Sequence, residues 1–325
     1  MSKLRVAFSD FWKDFDPRKN FFAEALSTQF DWEISDQPDL LICSVFGRDW
    51  TAYSCPRVLF TGENIQSDPT LFDASFTFEP FSKTNYYLPL YRFYGAYAAA
   101  FKPRLLTREV WEQKKTIATV FSNTKQRLRN QVYFRLAERF KADSGGRAFN
   151  NVGGPVPDKA EFIKNYKFSL AFENTSWPGY TTEKLVEAYS YGTVPIYWGD
   201  PNVATSFNAK AFLRLKSLRE LGELETTLAS TLNDFHRYKL IYEQPLFPEN
   251  QEPEFLKAEA VGSFLRQVVE GGGRKGVRRR VSNFRNYLWE KRWKTKESTF
   301  FRTMGVRPVL SFLFAASYPF FLVKG

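Results

Sequence analysis

The stretch Phe172–Pro201, FENTSWPGYTTEKLVEAYSYGTVPIYWGDP, decides how this chain is read. The apolar run KFSLAF leads into it and a second apolar run, VPIYW, closes it. Between them TEKLVEAYSYG has helical spacing, and Gly192 falls where a helix C-terminal cap is wanted. The unit is therefore strand, turn, helix, strand. Thr181 or Thr182 can cap the helix, and Glu183 in its first turn complements the positive end of the helix dipole. Lys184 does not fit that account, because the dipole disfavours a cation there. It fits if an anion also binds at the helix start, where free backbone N–H groups and an ammonium converge. The loop follows a strand at its carboxyl end, which is where open α/β sheets bind ligands.

Outward from this unit the pattern repeats. Upstream, TIATVFS reads as a strand and KQRLRNQVYFRLAERF as a helix. The glycine-rich SGGRAFNNVGGPVPD and a short helix near KAEFIKNY lead into KFSLAF. The first third has the same grammar, with strands LRVAFS, DLLICSVF and RVLFTG and a helical KNFFAEALSTQF between the first two. Strands alternating with helices imply mainly parallel sheets with covered faces. The expected fold is α/β, two Rossmann-like domains facing across a cleft. Residues 1–112 form the first domain, 113–270 the second, and 271–325 a tail.

Charge separates the tail from the body. The chain of 325 residues carries a net charge of +11. From residue 271 onward there are 13 basic and 2 acidic residues, which leaves 33 of each sign before it. A nucleic-acid-binding protein would carry its cations on a folded face, so a neutral body with a basic appendage argues against that class. In the tail, Val277, Val281, Phe284 and Leu288 alternate with Arg278, Arg279, Arg280 and Arg285. This is a basic amphipathic pattern suited to an anionic membrane surface. The run VLSFLFAASYPFFLV, Val309 to Val323, is short for a membrane span. It either adds to surface attachment or packs back on the body. No signal peptide is expected from the start MSKLRVAFSDFW. Cys43 and Cys55 make no disulfide framework, so a reducing compartment is expected. The single His236 lies in a polar helical stretch and is read as a surface residue.

KFSLAFENTSWPGYTTEKLVEAYSYGTVPIYWGDPNV resembles the signature of the α-1,3/4-fucosyltransferases that use GDP-fucose. VLFTGEN (Val58–Asn64), SNTKQRLRN (Ser122–Asn130) and YYLPLY add to the match, so that the resemblance spans about residues 4 to 245 in order. It is nearest to bacterial members without an N-terminal membrane anchor. The resemblance implies a GT-B glycosyltransferase fold and inverting transfer of L-fucose from GDP-β-L-fucose to a sugar hydroxyl, usually of N-acetylglucosamine. It also implies that no metal or other cofactor is required. The partners it implies are a nucleotide-sugar donor and a glycan acceptor such as lipopolysaccharide. With the tail, it places the protein in the bacterial cytoplasm, peripheral on the inner face of the membrane.

The same resemblance assigns candidate residues. Glu63 matches the base that takes the acceptor proton, and Lys184 and Arg129 match the cations that hold the diphosphate. Glu183 matches a ribose contact, while Asn174 and Tyr180 match donor-pocket residues. Glu173 either contacts the fucose and stabilises charge at its anomeric carbon or makes strand-end hydrogen bonds. Asn123 and Arg147 are weaker donor-side candidates. Trp12 and Phe11, after the first strand, either stack on acceptor sugar rings or pack in the core. The loop residues Trp177 and Pro178 stand where relatives vary, which leaves strictness for fucose open. A related transferase with another donor or acceptor, or a non-catalytic sugar-binding remnant, remains an alternative.

Overall fold

The apolar runs become the central strands of two separate parallel sheets, because only strands covered on both faces can be apolar throughout. The computed structural model describes residues 3–271. The tail readings, the basic helix around Val277–Leu288, the run Val309–Val323 and the membrane attachment drawn from them, lie outside the described residues.

The first sheet contains β1 (Leu4–Ser9), β2 (Trp32–Ile34), β3 (Leu40–Cys43), β4 (Arg57–Phe60), β5 (Ala74–Thr77) and β6 (Asn85–Tyr87). Their spatial order is β2-β1-β3-β4-β5-β6, all parallel. The second contains β7 (Lys115–Thr119), β8 (Asp143–Ser144), β9 (Tyr166–Phe172), β10 (Val194–Trp198) and β11 (Leu213–Arg214). Its order is β8-β7-β9-β10-β11, again all parallel. Counted from its own first strand, the second sheet runs 2-1-3-4-5 and the first runs 2-1-3-4-5-6. In each the order reverses between its first and third strands, β1/β3 and β7/β9, and a crevice opens there at the carboxyl ends.

The helices are α1 (Phe21–Ser27), α2 (Ala96–Ala99), α3 (Arg108–Gln113), α4 (Arg127–Phe140), α5 (Lys159–Ile163), α6 (Glu183–Ser190), α7 (Leu221–Leu232), α8 (Phe235–Tyr242) and α9 (Ala258–Glu270). Asn20, Thr107, Asp158 and Asp234 cap α1, α3, α5 and α8 through their side chains, which satisfies otherwise unpaired N–H groups. Gly192, at φ +80° just past α6, is the left-handed residue that ends that helix. His236 is exposed on α8, and Cys43 is a buried free thiol.

The two halves share core. Tyr91 and Tyr97 from the first pack with Phe207 and Phe247 from the second. Ser190, at the end of α6, donates to the carbonyl of Ala96 at 2.7 Å. The chain also crosses back: α9 lies against α1 on the first half. Arg266 donates to the Gln29 carbonyl, and at Gly262 a Cβ would stand 2.4 Å from the Ala25 carbonyl oxygen. Only glycine permits so close a helix pair. Residues 258–270 thus belong in space to the first sheet, although they follow the second in sequence.

Candidate functional site

The crevice at the β7/β9 reversal is a cavity of about 250 Å³. Its walls include Thr119 at the end of β7 and Val120 to Asn123 after it, Arg129 on α4, and Lys159 and Ile163 on α5. Ser169, Leu170, Phe172 and Asn174 of β9 and its following loop, and Glu183, Lys184 and Ala188 of α6, complete them. Asn123, Arg129, Asn174, Glu183 and Lys184, singled out from the sequence, therefore meet in one place.

Close backbone contacts hold the loops in shape. Gly146 meets the loop after β7 so tightly that a Cβ there would lie 2.1 Å from the Phe121 carbonyl oxygen. Gly179 turns the loop after β9 at φ +78°, with the Phe78 carbonyl oxygen 2.5 Å from where a Cβ would be. Both positions exclude a side chain. Asp200, in the Gly199-Asp200-Pro201 turn after β10, accepts the N–H of Gly179 at 2.9 Å and of Asn202 at 2.7 Å. Burial pushes the Asp200 carboxyl up against those hydrogen bonds. The sequence reading did not single out Asp200, although it stands inside the decisive stretch.

Thr182 sits at the N-cap position of α6 but makes no capping bond. Its hydroxyl donates to Glu173 Oε2 at 2.6 Å, and its N–H to Glu173 Oε1 at 2.7 Å. The cap expected of Thr181 or Thr182 does not form: the Thr182 hydroxyl oxygen accepts from the Lys184 ammonium at 2.8 Å instead of from a backbone N–H, while its proton goes to Glu173. Lys184 Nζ reaches Glu173 Oε2 at 3.3 Å, Glu183 Oε1 at 3.0 Å and Thr182 Oγ1 at 2.8 Å. Burial would lower the Lys184 ammonium, but Glu173 and Glu183 outweigh it and hold it well above the usual lysine range. Burial pushes the Glu173 carboxyl up; in Glu183 it is outweighed by Lys184, which keeps that carboxyl low. Glu173 is fully buried and does not line the cavity. At the end of β9 it is held by the Thr182 hydroxyl and N–H and by the Lys184 ammonium.

Arg129 is the electrostatic anomaly. It is 3% exposed, yet no carboxylate among the described residues pairs with it. One Nη donates to the Asn123 carbonyl, its guanidinium stands 4.5 Å over the Phe121 ring, and its Nε has no hydrogen-bond partner among the described residues. Burial pulls it down to about 10, opposed by Glu173. A desolvated cation without a counter-ion is costly, and a bound anion would relieve it.

Two more cavity residues are held by local hydrogen bonds, and the candidates after them lie off the cavity wall. Asn123 Oδ1 accepts the Lys125 N–H at 2.8 Å, and the Asn174 carbonyl accepts from Gln126 at 3.0 Å. Tyr180 is buried edge-on against Phe78 of the first half, away from the cavity lining. Arg147 is exposed and does not line the cavity either. Glu63 stands in the loop after β4, where its N–H donates to Thr61 Oγ1 at 3.0 Å. The neighbouring Asn64 crosses to Thr175 of the loop after β9, Nδ2 to Oγ1 3.0 Å. Burial chiefly raises the Tyr180 hydroxyl, which also feels Lys184, Glu173, Glu63 and Glu183, so the two halves bring Glu63 within electrostatic reach of the same side chain as Lys184. Phe11 and Trp12 follow β1 at the reversal of the first sheet. Phe11 stacks on Phe15 at 3.9 Å, while Trp12 is 36% exposed and edge-on to both rings.

Lys159 was missed in the sequence because PDKAEF reads as an ordinary helix start. The signal was present: it is a cation at the dipole's disfavoured end, as Lys184 is. Among the described residues no cluster of three or more His, Cys, Asp or Glu side chains could hold a metal, and no helix is long and apolar enough to cross a membrane.

Two doubly wound sheets with a cation-lined crevice have the GT-B glycosyltransferase architecture. A solved α1,3-fucosyltransferase with GDP-fucose superposes with a TM-score of 0.67 at 25% identity, covering 82% of this chain and 90% of that one. A second, an α1,3-fucosyltransferase with GDP, gives a TM-score of 0.68 at 24% identity over 85% of this chain and 92% of that one. Residues 6–94 match the α-(1,3)-fucosyltransferase FucT N-terminal domain, and residues 110–243 the C-terminal part of glycosyltransferase family 10 (fucosyltransferase). The chain belongs to this family of fucosyltransferases. The α-(1,3)-fucosyltransferase FucT of Helicobacter pylori is 29% identical over 82% of this chain, and an α-(1,4)-fucosyltransferase of Arabidopsis thaliana is 54% identical over 13% of it. The chain spans 66% of the length of the first of these curated relatives and 10% of the second.

Proposed function

We propose that this chain is an α-1,3-fucosyltransferase that moves L-fucose, with inversion, from GDP-β-L-fucose to a glycan hydroxyl, O3 of N-acetylglucosamine. The observation that carries the reading is Arg129, a buried cation without a carboxylate partner on the wall of a cavity that Lys184 also lines. A diphosphate supplies the charge that Arg129 lacks.

On this reading the half built on the second sheet holds the donor and the half built on the first sheet, with α9 against it, holds the acceptor. Glu63 takes the proton from the acceptor hydroxyl as its oxygen attacks the anomeric carbon. The bond from that carbon to the β-phosphate oxygen breaks, and its electron pair leaves with GDP. Arg129 and Lys184 stabilise the departing diphosphate in place of a metal. Glu183 accepts from the ribose hydroxyls, Asn174 and Asn123 complete the donor pocket, Tyr180 packs behind it against Phe78, and Trp12 with Phe11 offers an aromatic face to the acceptor. Glu173 acts through Lys184, by fixing its ammonium. The proposed acceptor is a lipopolysaccharide-type glycan, met at the inner face of the bacterial cytoplasmic membrane, with residues 271–325 as the membrane contact.

Incubation with GDP-fucose and N-acetyllactosamine, with linkage read by NMR, tests this. A fucose on O3 of N-acetylglucosamine supports the proposal. Absence of both transfer and GDP release with any β-galactosyl-N-acetylglucosamine acceptor would sink the acceptor assignment.

A further inference from the structure

The mechanism above uses two of the three cations on the cavity wall. The third, Lys159, opens α5 immediately after its cap Asp158. Its ammonium is pinned by Glu187 Oε2 of α6 at 2.5 Å, and the second carboxylate oxygen of Glu187 takes the Tyr191 hydroxyl at 3.2 Å. Glu187 is buried and does not line the cavity, so it holds Lys159 in place without meeting a ligand itself.

The surroundings of Lys159 differ from those of Arg129. Ile163, four residues on and so on the same face of α5, lines the cavity together with Ala188, Leu170 and Val120. Ala188 stands in the same relation to Lys184 on α6. Each lysine thus has an apolar side chain one turn further along the same helix face, and the cavity presents Ile163, Ala188, Leu170 and Val120 beside its ammonium groups. A flat heteroaromatic ring suits such apolar groups, provided its edge meets a polar partner beside them. An ammonium can only donate. Guanine offers a carbonyl oxygen, O6, at the edge where adenine offers an amino donor.

We propose that Lys159, held by Glu187, donates to O6 of the purine of the bound nucleotide and is the residue that separates 6-oxo from 6-amino purine diphosphates. This rests on the reading of the cavity as the nucleotide diphosphate site. Lys159 is a specificity residue and Glu187 its positioning residue.

The test is calorimetric titration of GDP, inosine diphosphate and ADP into wild type, Lys159→Met, Lys159→Arg and Glu187→Gln, each checked for a native melt. Wild type is expected to bind GDP and inosine diphosphate alike, since both carry O6, and ADP at least about tenfold more weakly. Lys159→Met should lose GDP affinity by about tenfold while ADP affinity stays unchanged, closing the gap. Lys159→Arg keeps a donor and should keep the gap; Glu187→Gln, which frees the ammonium, should narrow it. Equal losses of GDP and ADP affinity in Lys159→Met would make Lys159 a phosphate contact and overturn the proposal. So would an unchanged GDP-to-ADP ratio. Wild type that binds none of the three would overturn the nucleotide reading itself, a different failure.

Discussion

Thr182 stands at the N-cap of α6, yet gives its hydroxyl to Glu173 at 2.6 Å. The exchange ties the end of β9 to the start of the helix and leaves the first turn of α6 without a side-chain cap. A helix start left open beside Lys184 is suited to an anion. Thr182→Val keeps the shape and removes the donor, so Glu173 keeps only the Thr182 N–H and Lys184. The expected loss is about 1–3 kcal/mol of stability, because a buried carboxylate is left short of a hydrogen bond. Urea unfolding measures it; an unchanged midpoint would show that the hydroxyl does not matter to Glu173.

Arg129 should show the opposite balance. It is buried without an ion-pair partner among the described residues, so Arg129→Met removes a desolvation cost along with a cation. The unliganded protein should be no less stable than wild type, and up to about 2 kcal/mol more stable. Thermal melts without nucleotide check this. A loss of several kcal/mol would make Arg129 a structural residue.

Glu63 acts on the acceptor in the proposed mechanism, so Glu63→Gln should separate binding from turnover. GDP-fucose affinity should stay within about twofold of wild type while kcat falls roughly 10²- to 10⁴-fold. Single-turnover assays beside donor titrations read both. Transfer at the wild-type rate would end the assignment of Glu63 as the base.

Most central strands were legible in the sequence; the edges were not, nor was the interior β5, Ala74–Thr77, whose ASFT is only half apolar. β4, β9 and β10 read directly as apolar runs because both of their faces are covered. β8 and β11 are two residues each, Asp143–Ser144 and Leu213–Arg214, with no periodicity to see. The strand read from DLLICSVF stops at Cys43, since the Phe46 N–H turns away to the Asp10 carbonyl. The return of α9 to α1 depends on a contact between Gly262 and Ala25, which lie far apart in the chain. At the site, the residue types were readable, and Lys184 stood out on helix electrostatics alone. What could not be read was who pairs with whom. Lys184 is shared by two carboxylates, Arg129 has no carboxylate partner among the described residues, and Lys159 is held by a buried glutamate.

Lys114 gives a pH signature independent of the site. Its ammonium donates to the carbonyls of Lys164 and Gly192, and burial lowers it from 10.5 to about 8. Between those values the unfolded chain binds a proton that the folded chain does not, so stability rises with pH across that window. Below about 8 both states are charged and the burial cost is present in full; as pH climbs toward 10.5 it is relieved. Relative to Lys114→Met, wild type should gain about 1–2 kcal/mol from pH 8 to about 9.5. Parallel pH profiles for the two proteins would contradict the burial of this amine.

The most direct measurement is calorimetric binding of GDP to wild type and to Arg129→Met. The account predicts saturable binding to wild type and a loss of roughly tenfold to a hundredfold in the folded variant, the effect of removing a charged hydrogen-bonding partner from a diphosphate. Undiminished GDP binding by Arg129→Met would contradict the claim that the donor is held at the β7/β9 crevice.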